Sequence, residues 1–422
     1  MSTQAGKIAE VMFESVLDTY EDQTMLVDKT QVFTPESGTM QNAGNVIWRP
    51  KEQHAPIIDG WDLTGQEQSI IEETYPAFLG TPKNDFVKQR IDDLRDMEFW
   101  SRRGAVAGRQ QATELNKSIA NLVNVNGSMY YESNATSGFD FISEGQALMN
   151  ERQGLHTERC YILNDRSTKK YAEDLAGRQT IKGRPADAWS KGQIGSNVAE
   201  FDIYTGSFLP TVAASTGSTT TTATYSGKPE GGSVDSTSFV VTNVDYRTAT
   251  IAVTASAGFA VGDKVTFTTA NDVNAVGLAD KTDTGQLMTF TITAIPNGTS
   301  VTIFPKPIAA DDAGLSVTEK AYANVDTQIV SGATMVAVNT TGGRANLFYD
   351  NDAIEVVGGN VPMNLMSEFD GMKVISETMS NGLNMYMVYD ANLDGLNLRY
   401  RLFTWYGLTA KDPSRMGVSV SI

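Results

Sequence analysis

NDFVKQRIDDLRDMEFWSRRGAVAGRQQATELNKSIANLVNVNG, residues 84–127, is the clearest patterned stretch in the chain. Val87, Ile91 and Leu94 recur at helical spacing, and Ala112, Leu115, Ile119 and Leu122 do so again. Asn84 or Asp85 is placed to N-cap a helix, and Asn126-Gly127 to end it. A continuous helix over 84–126 would run about 60 Å at 1.5 Å per residue. That is too long for burial in one small core. Gly104 and Gly108 are expected to let it bend. Asp92, Asp93 and Asp96 near its start suit the helix dipole, and Arg102, Arg103 and Arg109 follow. Such a helix reads as a spine beneath an extended sheet.

Upstream, KIAEVMFESVLDTY (residues 7–20) puts Ile8, Val11, Met12 and Val16 on one face of a short helix, with Glu10 and Glu14 away from it. It reads equally as a core-facing helix and as an arm that docks on a partner. DKTQVFTPESGTMQNAGN then has turn residues and little periodicity, as an extended arm would. IWRPKEQHAPIIDGWDLT, residues 47–64, carries two tryptophans, two prolines and a histidine with no period. The irregular stretch runs to about residue 80, and QSIIEETYPAF supplies one strand ending near Pro76. A loop of this length is normally functional or disordered, and two tryptophans argue against disorder.

Downstream, residues 139–209 alternate helical pieces (FDFISEGQALMNERQ, DRSTKKYAEDLAGR) with a buried-type strand, CYIL, at 160–163. This is a mixed α/β pattern. At about residue 210 the composition turns to Thr, Ser and Gly. Period-2 stretches follow: SFVVTNV, TATIAVTA, DKVTFTT, LMTFTITAI and TSVTIFP. A turn centred on Pro296-Asn297-Gly298 predicts a hairpin, since Asn-Gly favours positive φ. Short strands with regular turns predict a small antiparallel β-barrel or sandwich ending near Gly342-Gly343. The last part returns to mixed character, so the β module reads as an insertion into a discontinuous α/β domain.

The chain has 422 residues, 41% of them apolar, and a net charge of −17. It is globular and acidic. That argues against a dedicated nucleic-acid binder, though not against a protein that encloses nucleic acid. Its single cysteine excludes an internal disulfide. No signal peptide or membrane-spanning run is read from it. Only two histidines are present. His156 lies four residues before Cys160, and a Cys–His nucleophile pair is formally possible. A buried structural cysteine is the stronger reading. No phosphate loop, dinucleotide fingerprint or metal-ligand spacing appears. No cofactor is expected. A large acidic chain with an extended arm, a Trp-bearing loop and a spine helix has the profile of self-assembly.

Several strings then carry a resemblance. IWRPKEQHAPIIDGWDLT, NDFVKQRIDDLRD, IFPKPIAADDAGLSVTEKAYANVDT and WYGLTAKDPSRMGV lie in the same order and spacing as in the major capsid (coat) proteins of the short-tailed Salmonella phage P-twenty-two type, which this chain resembles over nearly its whole length. The resemblance implies an α+β tailed-phage capsid fold with an inserted antiparallel β-barrel. It implies an N-terminal arm at 1–35, an E-loop region at 36–85 and a P-domain spine helix at 86–138. The A-domain falls at 139–209 and 343–396, the inserted barrel at 210–342 and the P-domain C-terminal strands at 397–422.

The resemblance also implies roles. The protein would assemble as pentamers and hexamers in an icosahedral procapsid with scaffolding and portal proteins. It would then expand as the shell fills with double-stranded DNA, in the virion, after assembly in the host cytoplasm. No catalytic, metal or cofactor site and no membrane partner is implied. Trp48 and Trp61 would be buried across a subunit boundary, with Arg49, Lys51, Glu52 and Asp62 at the rim. Glu10 and Glu14 match the scaffolding contact. Asp235, Asp245 and Arg247 mark the loop that joins capsomers, here poorer in charge than the family's. Arg102, Arg103 and Arg109 face the inner surface or pair with nearby carboxylates. From other classes, a monomeric protein that recognises a glycan or peptide through the Thr-rich barrel, or a hydrolase using Cys160 and His156, would be the alternatives.

Overall fold

The structure is a computed structural model and describes residues 4–65, 67–90, 97–133, 138–152, 158–177, 198–230, 245–268, 272–361, 373–392 and 397–422. The chain forms two compact units. The first comprises Met1–Ile47, Ala77–Ile119 and Ile354–Thr409. The second comprises Trp48–Pro76, Ala120–Ala353 and Ala410–Ile422.

In the first unit, Lys83–Arg90 is a strand and not the start of the long helix. It pairs antiparallel with Asn397–Thr404 along its whole length, from Lys83↔Thr404 to Arg90↔Asn397. Its residues alternate between half-buried and exposed, the period of a strand. The expected caps Asn84 and Asp85 therefore sit in a ladder. Eight backbone pairings outweigh a helical spacing that rested on Val87 and on Ile91 and Leu94. The latter two lie outside the described residues, as do Asp92, Asp93 and Asp96. The four-stranded sheet is completed by Asn384–Asn392 and Lys373–Thr378.

Three helices belong to this part of the chain: α1 (Gln4–Gln23), the short α2 (Ser37–Asn42) and α3 (Met97–Asn126). At 30 residues, α3 is about 45 Å long. Ile8, Met12, Phe13, Val16 and Tyr20 of α1 are buried, so α1 is a core helix of its own chain. It packs on α3 at Gly104 and Gly108. A Cβ on Gly104 would meet the Met12 carbonyl oxygen at 2.5 Å, and one on Gly108 would meet that of Val16 at 2.5 Å. The glycines thus mark a close helix crossing, where the sequence suggested a bend. Ser15 Oγ donates to the Ser101 carbonyl at 2.8 Å across the same crossing. Asn116 holds the chain beyond α1, donating to the Gln23 carbonyl at 3.0 Å and accepting from the Leu26 amide at 3.4 Å. A second sheet places Ile354–Gly358 between Gln31–Phe33 and Tyr406–Ala410.

The second unit holds a six-stranded mixed sheet in the order Met129–Ser133, Met416–Ser421, Gly343–Asp350, Arg159–Leu163, Phe201–Thr205, with the short strand Thr211–Val212 also paired to Gly343–Asp350. Helices α4 (Gly138–Glu151) and α5 (Asp165–Ala176) accompany it. Asn164 N-caps α5, its side chain accepting from the amides of Arg166 and Ser167. Tyr161 stacks on Phe348 with centroids 5.6 Å apart. Its hydroxyl joins those of Tyr131 (2.8 Å) and Ser419 (2.7 Å), which satisfies three polar groups inside the core.

The Thr-rich stretch supplies a six-stranded antiparallel sheet. Its order is Ala249–Ala252, Ser300–Phe304, Phe290–Asn297, Lys264–Thr268, Thr334–Ala337, Ser218–Thr220. A bridge between Thr221 and Val253 links its two outer strands, with the Thr254 amide donating to the Thr220 carbonyl at 2.8 Å. The inward residues, among them Ile251, Val265, Phe267, Phe290, Ile292, Val301, Ile303 and Met335, form a core of their own. The expected hairpin is present, but neither Asn297 nor Gly298 has positive φ. Instead the Asn297 side chain accepts from the Thr299 amide (2.9 Å) and the Ser300 hydroxyl (2.9 Å), an Asx-type turn. The strand expected at SFVVTNV falls within 231–244, outside the described residues.

One buried cation ties this sheet to the end of α3. Lys264 is fully buried and donates to the carbonyls of Asn124 (2.5 Å) and Gly127 (3.3 Å) and to Thr291 Oγ1 (2.6 Å). A helix C-terminus leaves such carbonyls without partners and favours a positive charge.

Candidate assembly surface

The Trp-bearing loop begins as a two-stranded ribbon, Val46–Pro50 against Thr74–Phe78. Beyond it the Lys51 amide donates to the Glu73 carbonyl at 2.7 Å, and Gln53 Nε2 donates to Glu72 at 2.7 Å. Complementary polar residues on the two sides therefore close the stem. The Lys51 ammonium lies 3.6 Å from Glu73 and 3.8 Å from Asp412. Burial alone would push it down, but the Asp412 and Glu73 carboxylates outweigh burial and hold it above the usual lysine value.

The stem is clasped to the β module of its own chain. The His54 amide donates to the Tyr322 hydroxyl at 3.2 Å, and the two rings meet edge-on at 5.3 Å. The Tyr322 hydroxyl in turn donates to the Ile71 carbonyl. Ile71 packs against Ile308, Leu315 and Tyr322, and Thr318 Oγ1 donates to Gln68 at 2.7 Å.

The tip is different. Trp61 is 107% exposed, Ile57 95%, Ile70 70% and Leu63 42%. Asp62 accepts from the Thr64 amide and hydroxyl, and those bonds hold its carboxyl below the usual range. Four large apolar side chains stand in water on a loop whose base is fixed. Several large apolar side chains exposed on one loop point to an interaction site.

The six expected loop contacts therefore separate. Trp61 and Asp62 are on the exposed tip, while Trp48 and Arg49 are half-buried in the ribbon. Lys51 is half-buried, between the Glu73 and Asp412 carboxylates of its own chain. Glu52 is exposed but lies 3.3 Å from Arg415. The sequence reading missed Ile57, Leu63, Ile70 and the Tyr322 clasp. Its available signal was the pair of doublets Ile57-Ile58 and Ile70-Ile71 in an otherwise polar stretch.

The other expected sites are dispersed. Glu10 and Glu14 are exposed on α1. Arg103 pairs with Asp85 at 2.6 Å, while Arg102 and Arg109 are exposed on α3. Asp235 lies outside the described residues. Asp245 and Arg247 bond to each other, Nη2 to carboxylate at 2.8 Å, and Arg247 also reaches the Ala410 carbonyl and the face of Phe304. As an internal pair they hold the start of Ala249–Ala252 in place. Cys160 is fully buried in the mixed-sheet strand and His156 is outside the described residues. A nucleophile sealed in a core cannot meet substrate.

Comparison with known proteins follows this geometry. Residues 1–421 match the model of the family described as P22 coat protein, gene protein 5. Among solved structures, a Mycobacterium phage Che8 chain is similar at 12% identity, with 94% of this chain and 90% of that chain covered and a TM-score of 0.44. A capsid chain of the cyanophage P-SCSP1u is similar at 10% identity, 94% and 88% coverage and a TM-score of 0.46. A virus-like particle chain from Pyrococcus furiosus is similar at 8% identity, 97% and 98% coverage and a TM-score of 0.40. The family match covers all but the last residue and carries the assignment, so neither the hydrolase nor the glycan- or peptide-binding reading stands. The chain belongs to the P22 coat protein family: it is a major capsid protein whose copies form the icosahedral shell of a phage virion.

Proposed function

We propose that the loop tip is the contact each subunit makes with its neighbour, and that a second copy of this chain covers Trp61, Ile57, Leu63 and Ile70. The observation that carries this reading is four large apolar side chains exposed on a loop whose stem is fixed to its own β module. Burying two or three such side chains is worth about 1.5–3 kcal/mol each, repeated at every contact of the shell. Pentamers and hexamers would close around a scaffolding protein that meets the exposed Glu10 and Glu14 of α1, with portal protein at one vertex. Assembly would take place in the host cytoplasm. Expansion on DNA packaging would exchange one set of contacts for another without forming a bond. The net charge of −17 suits a container that does not trap its DNA.

The test is co-expression with scaffolding protein, followed by sedimentation and electron microscopy. Trp61→Ala combined with Ile70→Ala should leave the soluble chain folded by circular dichroism and cut shell yield at least about tenfold. Normal shells from that variant would remove the tip from the contact.

The domain division follows the same reading: arm 1–35, E-loop 36–85, spine 86–138, A-domain 139–209 and 343–396, β-barrel 210–342 and C-terminal strands 397–422. The β module has its own core, so residues 211–340 expressed alone should give a β-type circular dichroism spectrum and a cooperative melt. A random-coil spectrum would overturn both the boundary and the independence of the module.

A further inference from the structure

We propose that the cleft at the loop stem binds a small oxyanion of the phosphate class, with Lys281 as its principal cation. The cleft measures about 260 Å³ and lies wholly within the second unit. Lys51 and His54 face it from the stem, and Arg247, Lys281, Lys306 and Tyr322 from the β module. More cations than carboxylates line it, in a chain whose net charge is strongly negative.

Most of those cations are already neutralised. Lys51 has Glu73 and Asp412, Arg247 has Asp245 at 2.8 Å, Lys306 has Glu230 at 3.1 Å, and Arg415 has Asp412 at 3.3 Å. Among the described residues Lys281 has no ion pair and no side-chain hydrogen bond. Nor is it a loose surface lysine. Its backbone is fixed at φ 57° by a closed turn, in which the Lys281 amide donates to Gly277 (3.1 Å) and the Gly277 amide donates to Thr282 (2.9 Å). Asp280 braces that turn from the Thr282 amide and hydroxyl. A lysine held in a left-handed conformation is locally strained, and such sites cluster where a ligand is clamped.

The titration of Lys281 and His54 reflects the cations gathered at the stem. Burial and then Lys51 push the Lys281 ammonium down to about 8. Burial, Lys281 and Lys51 hold the His54 imidazole below its usual value. The Asp412, Glu73 and Asp280 carboxylates act on Lys281 in the opposite sense but do not outweigh burial and Lys51. A phosphate oxygen set there meets Lys281 directly, with Lys51 and the His54 imidazole on the stem side. The anion would bridge the loop stem and the β module, adding to the Tyr322 clasp. The volume fits a hydrated phosphate and excludes a nucleic-acid duplex.

The test uses the full-length soluble chain and inorganic phosphate, against sodium chloride at matched ionic strength. The chain has two histidines, so the His54 ring resonance can be followed by proton NMR at fixed pH. Saturable movement with phosphate but not with chloride is expected. Lys281→Asn keeps a residue that accepts positive φ and should weaken phosphate binding at least about tenfold, a difference read directly as Kd. Lys281→Arg, which keeps the charge, should bind within a few-fold of wild type. Binding also stabilises the folded state by mass action, so phosphate should raise the melting temperature of wild type and not of Lys281→Asn. Equal, unsaturating responses to phosphate and chloride would mean general screening and overturn the site. So would wild-type affinity in Lys281→Asn, which folds by circular dichroism if the turn survives; Lys281→Gly serves as the second variant there.

Discussion

Replacing Gly104 and Gly108 together by alanine is expected to separate α1 from α3 and to leave the first unit unstable. Taken as helix residues alone, the changes would help, since alanine is favoured over glycine by about 1 kcal/mol per site. The crossing decides otherwise. Each new methyl would lie 2.5 Å from a backbone carbonyl oxygen of α1, with Ser15 Cβ and Thr19 Cβ a further contact at 3.2 Å. A carbonyl inside a helix has no rotamer by which to retreat, so the whole helix must move. That movement loosens Ile8, Met12, Phe13, Val16 and Tyr20, all buried. Overpacking costs about 1–3 kcal/mol per site. The two sites share one contact, so the double variant need not equal the sum. The check is the urea midpoint of the soluble chain, with Gly38→Ala as control. Gly38 lies in α2 with nothing within 4 Å of its would-be Cβ, so Gly38→Ala should be neutral or slightly stabilising. A double variant as stable as wild type would show that the helices are not in contact in solution.

The same two glycines show what a single sequence can and cannot reveal. Their four-residue spacing and their place in a helical pattern were legible. That they accept another helix was not, because the partner lies some ninety residues earlier and its footprint is visible only in three dimensions. Lys83–Arg90 is the converse case. Its residues satisfy a helical spacing weakly and a strand alternation equally well, and pairing with Asn397–Thr404 decides the matter. The β module was read correctly in most strands because Thr-Val-Thr-Phe runs leave few other options. Its hairpin turn was placed for a reason that does not operate: the Asn297 side chain closes the turn without any positive φ. At the loop, Trp61 stood out for its composition. Nothing in the sequence shows that Asp412 comes to meet Lys51. Charges disclose their partners only when the chain is folded, which is also why Lys281 and Lys264 drew no attention as residues.

Lys264 leads to the second large effect, a stability that climbs with pH. Burial holds its ammonium down at about 7 in the folded chain, against about 10.4 unfolded. The unfolded chain therefore binds more protons between those values, and stability rises with pH there. Its contribution is complete above the unfolded value and is lost as pH falls through the folded one. The slope attributable to one such group reaches about 1.4 kcal/mol per pH unit. Lys281, pushed down to about 8, acts in the same direction. Buried tyrosines such as Tyr161, pushed up by burial, act oppositely but only above their unfolded value near 10. The window from about pH 7 to 9 is therefore set by the lysines. A neutral Lys264 still has two hydrogens for the Asn124 and Gly127 carbonyls, and its lone pair can accept from the Thr291 hydroxyl. The clamp on the end of α3 thus survives deprotonation while the cost of a buried charge disappears. Lys264→Met removes both the clamp and the charge. At pH 9 it should be less stable than wild type by about 1–3 kcal/mol, the usual cost of leaving buried carbonyls unpaired. The difference should shrink towards pH 6, where wild type bears its buried charge. Urea midpoints of the transition reporting the second unit, taken at several pH values for both chains, give the two slopes. Parallel slopes would show that Lys264 titrates at an ordinary value and is reached by water. A steeper slope for wild type would establish that the β module and the end of the spine helix are joined through one dry amine.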